Sequence, residues 1–143
     1  MNFTKKLAAA ALLVSSLLIT GCGESQMGAV DVSKVMEEAP RVKTLMEEAQ
    51  SKVTEAQQKF EQDTAAKPDM TEEESLKMQM DFQRKLEGIN QAYAAQIKNR
   101  MDVVIEEVAR EKNIDVVVNN SSEQKILFKG GIDITQDVIK KMQ

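Results

Sequence analysis

Histidine and tryptophan are absent from this chain of 143 residues, and cysteine occurs once. Without histidine the chain lacks the side chain best suited to proton transfer near neutral pH and the commonest metal ligand. A lone cysteine cannot close an internal disulfide, and with no imidazole beside it nothing activates the thiol as a nucleophile. No phosphate-binding loop, dinucleotide-binding glycine pattern or nucleophile elbow is present. The chain therefore reads as a protein without catalysis, cofactor or metal. Aromatic residues make up 3%, and there are two prolines and six glycines. Compact cores lean more heavily on aromatic area, whereas few helix breakers in a chain rich in Ala, Glu, Gln, Lys and Met suit long helices.

The chain opens with a short basic start at Lys5 and Lys6 and a 13-residue apolar run, "LAAAALLVSSLLI", Leu7 to Ile19. A membrane-spanning helix needs roughly 20 apolar residues, so the run fits the apolar part of a secretory signal better. The residues after it are small, Thr20 and Gly21, and Cys22 follows. This "LITGC" resembles the lipobox of bacterial lipoproteins, which implies cleavage before Cys22 and lipidation of its thiol. Residues 1–21 are then a signal peptide and 22–26 a lipidated tether. The resemblance also implies that Gly23, where aspartate would retain a lipoprotein at the inner membrane, favours the outer one. Without Lys5 and Lys6 the 19 basic residues fall to 17 against 23 acidic ones, a net charge of −6. An acidic chain lacks the positive footprint that nucleic-acid binding needs.

Beyond the tether the chain changes period several times. "MGAVDV", Met27 to Val32, predicts a strand, and Ser33 an N-cap for a short helix that Pro40 stops. From Val42 the apolar steps are 4, 3, 4, 3, 4 through Met46, Ala49, Val53, Ala56 and Phe60, a heptad seam. Glu48 with Lys52 and Glu55 with Lys59 have the favourable i,i+4 order. Pro68 and Asp69 mark a turn, and Thr71 with Glu74 has the form of a capping box. A second helix then carries Phe82, Leu86, Ile89, Tyr93, Ile97, Met101, Val104 and Val108 on one face, with Glu73–Lys77 and Asp81–Lys85 as further charge pairs. Two long helices and a tight turn make an antiparallel hairpin over 40–112. Its narrow apolar stripe supplies little core, so association with other copies is expected. "IDVVVN" and "KILFKG" predict two strands around a polar turn, and "DITQDVIKKMQ" a short closing helix capped by Thr135 or Asp133. The three strands must meet in one small sheet, placing the body at 27–39 and 113–143. The fold class is α+β, mostly α.

Three segments are similar to the OmpH/Skp family of periplasmic chaperones. They are "MGAVDVSKVMEEAP", with Gly28, Val30, Asp31, Lys34 and Val35; "VAREKNIDVVVN"; and "ILFKGGIDITQDVIKKM", with Asp133, Ile134, Thr135, Val138, Ile139 and Lys140. The resemblance implies a homotrimer in which a small β-body, three strands per chain, carries three hairpin tentacles around a cavity. It implies ATP-independent holding of unfolded outer-membrane proteins there, in the periplasm. Met46, Met78 and Met80 are candidates for client contact, because methionine surfaces adapt to varied apolar partners. The alternative is a structural coiled-coil lipoprotein, a spacer or assembly accessory without client binding. The best-known members are soluble and basic, whereas this chain reads as lipid-anchored and acidic, with six acidic residues against Lys67 between Glu61 and Ser75. Such a tip is expected to be repelled by anionic surfaces.

Overall fold

A computed structural model describes residues 25–121 and 130–143. Its order is β1 (Met27–Val30), α1 (Val32–Glu38), α2 (Pro40–Ala65), α3 (Glu72–Glu111), β2 (Val116–Asn119), β3 (Ile132–Asp133) and α4 (Thr135–Lys141). The mostly helical α+β architecture expected from the sequence is the one observed. Cys22, the apolar run before it, and Lys125–Lys129 of "KILFKG" lie outside the described residues.

Local chemistry explains most boundaries. Asp31, rather than Ser33, caps α1: its carboxylate accepts the Lys34 N–H at 3.0 Å. Ala39 is extended, φ −67° and ψ 126°, as a residue before proline must be, and Pro40 takes the first position of α2. The Thr71–Glu74 capping box forms as expected: each residue's side chain accepts the other's backbone N–H. Glu72, Glu73 and Glu74 fill the first turn of α3, where the helix dipole favours them. After α3, Asn113 turns the chain at φ 54°, a left-handed position that asparagine tolerates.

The sheet order is β2-β1-β3, and both pairings are parallel. Met27–Val30 aligns with Val116–Asn119, and Gly28 with Ile132. The N-terminal strand is therefore central. The hairpin expected between Ile114–Asn119 and Lys125–Gly130 falls on residues that lie, Gly130 apart, outside the described ones on its second strand; beside β1, Ile132–Asp133, which the sequence reads as turn and helix start, forms β3. Gly28 is tightly packed: a Cβ there would lie 3.0 Å from Ile114 Cγ2.

The core sits where the sheet meets the hairpin base. Val35, Val42, Val104, Ile134, Val138 and Met142 are fully buried. The two ends of the chain are joined here. The Thr135 hydroxyl accepts the Asp31 N–H at 2.9 Å and donates to the Asp133 carboxylate at 2.6 Å. That carboxylate also accepts the Thr135 N–H, although the N-cap position of α4 is Ile134, with no side-chain cap bond, rather than Thr135 or Asp133. These two bonds, the hydroxyl first, hold the Asp133 pKa below its ordinary 3.8. At the far end of α4, the Met142 carbonyl accepts the Arg41 N–H, and Lys141 pairs with Glu107 and Glu111. The residues that carry the family resemblance at both ends are thus the joints of the body.

Along the hairpin the charges take partners other than the expected ones. Lys52 pairs with Glu55, Lys59 with Asp63, Glu48 with Arg41, and Asp81 with Arg84. All are exposed and contribute little, so small rotamer preferences decide among them.

Candidate functional site

The second helix presents the predicted face to the first. Ile97, Met101, Val104 and Val108 are buried, and Phe82, Leu86, Ile89 and Tyr93 half-buried. The first helix differs at one position. Leu45 is 2% exposed and belongs to the core, whereas Met46, assigned to the seam, is 49% exposed. Stripes through 42, 45, 49 and 42, 46, 49 fit a helix equally well. Near the body, α2 also packs against α1, and the face it buries turns towards Leu45.

Met46 consequently stands at the edge of a groove. Val32 and Met36 from α1, Met46 and Ala49 from α2, and Tyr93, Ile97, Met101 and Ile105 from α3 line a cavity of about 530 Å³, open on one side. Its rim is polar but carries no net charge: Asn90, and Lys98 paired with Asp102. The wall is almost wholly apolar, and its residues converge from three helices where the hairpin leaves the body. Of these residues, the sequence had placed Met46, Ala49, Tyr93, Ile97 and Met101 on seam faces. Val32 and Met36 were not foreseen, because only the folding of α1 back onto the hairpin brings them there.

A second groove of about 600 Å³ runs between the helices near the tip. Phe60 and Phe82 stack in it, ring centroids 4.5 Å apart and 19° from parallel. Met70 and Met78 continue the apolar floor, with the Met78 sulfur 3.4 Å from the Thr64 hydroxyl, which donates to the Phe60 carbonyl at 2.7 Å. Lys59, Lys67, Lys77 and Lys85 line the walls with Asp63, Glu74 and Asp81. The slot between the helices is therefore not acidic, although the turn itself is. Glu74 is committed to the capping box, whose bonds, the Thr71 backbone first, hold its pKa below the ordinary 4.5.

The three methionines expected to meet clients separate in space. Met46 lines the groove near the body and Met78 the one near the tip. Met80 is 44% exposed and lies about 200° round the helix from Met78, on the outer face of the hairpin. Among the described residues no group of acidic, cysteine or histidine side chains is arranged to hold a metal ion, and no helix is long and apolar enough to cross a membrane.

The described residues thus form a small parallel sheet packed with short helices, from which a long hairpin with two grooves extends. A family model described as outer membrane protein (OmpH-like) matches residues 68–142, more than half of the chain. The chain belongs to the OmpH-like family, whose members are periplasmic chaperones rather than enzymes. The matched region runs from the hairpin turn through α3, β2, β3 and α4; the opening segment 27–40 lies outside it and supplies the central strand. No curated protein matches the chain.

Proposed function

We propose that this protein is a membrane-anchored, ATP-independent holdase. It binds unfolded outer-membrane proteins in the cavity of a homotrimer. The observation that carries this reading is the open apolar groove at the root of the hairpin, with Met46 at its lip and Met36, Tyr93 and Met101 behind. A client segment entering it loses apolar area to water, and the flexible thioethers adapt to different side chains. Held segments are kept from pairing with one another. No nucleotide is needed, since release follows when the client buries its own apolar surface elsewhere.

The spacer reading is favoured by a fully zipped coiled coil with no gap between hairpins, and the holdase by an apolar, solvent-facing wall on them. Two open grooves on one hairpin favour the holdase. Family membership supports oligomerisation and unfolded outer-membrane clients. Dilution of a urea-unfolded outer-membrane barrel protein into the purified full-length protein tests the activity: light scattering should rise later and less. Met46→Glu should weaken this protection severalfold while changing stability by no more than about 0.5 kcal/mol, because Met46 is half in solvent. Wild-type protein that leaves the scattering curve unaltered refutes the holdase.

The anchor completes the proposal. Cys22, lipidated, lies five residues before β1, a reach of about 15–18 Å. Gln26 bonds Asp115, just beyond the end of α3, whereas Val32, after β1, lines the hairpin groove. The strand therefore starts on the side of the body away from the hairpin. This supports a body held against the membrane, with Gly23 favouring the outer one, and tentacles reaching into the periplasm.

A further inference from the structure

Nine methionines in 143 residues is a high count, and their surroundings differ. Met142 and Met101 are 0% and 7% exposed, Met36, Met70 and Met78 are half-buried, and Met27, Met46 and Met80 are exposed. Thioether oxidation follows exposure. Among the described residues, only Met46 combines high exposure with a place in the wall of an apolar groove. Met80 is similarly exposed, 44% against 49%, but on the wet outer face, and Met78 is less open.

We propose that Met46 is an oxidation site whose modification lowers the affinity of the body-end groove for apolar segments. The oxidant is a peroxide. A sulfur lone pair forms the new S–O bond as the O–O bond breaks, and the second oxygen leaves as water. Sulfur is oxidised by two electrons and the peroxide is reduced. The product is a polar, less flexible sulfoxide at the lip of a wall built from Met36, Tyr93, Ile97, Met101 and Ile105. An apolar guest offers the sulfoxide oxygen no donor, so seating the guest strips that oxygen of water without replacement. The expected weakening is roughly tenfold, the order seen when one polar group is left unpaired in apolar contact. A thiol-dependent methionine sulfoxide reductase reverses the change.

This inference rests on the groove being a client site, and the experiment separates the two. Full-length wild type, Met46→Leu and Met80→Leu are treated with hydrogen peroxide, and oxygen uptake at each methionine is followed by peptide mass spectrometry. Each is then compared with its own untreated sample in the barrel-aggregation assay and in binding of an apolar fluorescent dye. Met46 and Met80 should oxidise well before Met101 and Met142. Treated wild type and Met80→Leu should need roughly tenfold more protein for the same protection, whereas Met46→Leu should keep its own untreated value, and the reductase should restore the wild type. Slow oxidation at Met46, an unaffected treated wild type, or equal loss in Met46→Leu overturns the proposal. Untreated wild type that gives no protection refutes the holdase instead; the dye then decides the inference, and unchanged dye affinity after oxidation of Met46 overturns it.

Discussion

Thr135 is the residue on which the two ends of the chain depend. Its hydroxyl takes the Asp31 N–H from the end of β1 and gives its proton to Asp133 at the start of α4, and the residue is 4% exposed. Thr135→Val keeps the volume but leaves that amide without its partner. The expected loss is about 1–3 kcal/mol, read from urea unfolding at neutral pH. The variant should also alter the pH dependence. Because the folded Asp133 pKa lies below 3.8, its carboxylate stabilises the fold above that value, and the contribution is lost as the pH falls through the folded pKa. Removing the hydroxyl removes the first cause of the depression, so between neutral pH and pH values below 3.8 the variant should lose less stability than the wild type. A variant with the same acid sensitivity would show that the carboxylate draws its stabilisation elsewhere. The capping box at Thr71 and Glu74 was legible because its partners lie three residues apart, whereas the Asp31–Thr135 bond spans 104 positions and left no local trace. Leu45 and Met46 show the same limit: their order of burial is set by what packs on α2, not by period.

The hairpin is two elements held by unequal halves. Near the body, buried aliphatic side chains join α2 and α3; near the tip the join is the Phe60–Phe82 stack over an open slot. Aromatic pairs of this kind contribute about 0.5–1.5 kcal/mol beyond the area they bury. Phe82→Ala should therefore speed amide exchange in the turn and the tip-side halves of both helices, with exchange of β1 and α4 unchanged. Uniform acceleration would mean that body and tip open as one unit. Both helices could be read in the sequence because periodic apolar steps, Pro40 and the capping box agreed, even though the charges chose other partners. β3 could not, since two residues carry no period, and nothing in a short β-branched run fixes whether it pairs parallel or antiparallel. Its pairing with β1 follows from α4 being tied back to Asp31.

At the scale of the molecule, the proposed anchor and trimer are separable. Cys22→Ser should move the protein from the membrane fraction to the soluble one while sedimentation still gives a trimer. Retention in the membrane fraction would leave the thiol without the role assigned to it. Three anchors on one particle would make spontaneous release very slow, since all must leave together. The central position of β1 has a consequence for how such a particle is made. β1 emerges first, yet its partners β2 and β3 lie about ninety and a hundred residues later. The hairpin closes through neighbours in sequence and can form early, but the body has high contact order and must await Asp133. During that interval β1 is an unpaired apolar strand on a growing chain, exposed on both edges. A protein proposed to shield unpaired strands in others thus passes through the same hazard itself, and its own assembly rate should be limited by how quickly the C-terminal segment arrives.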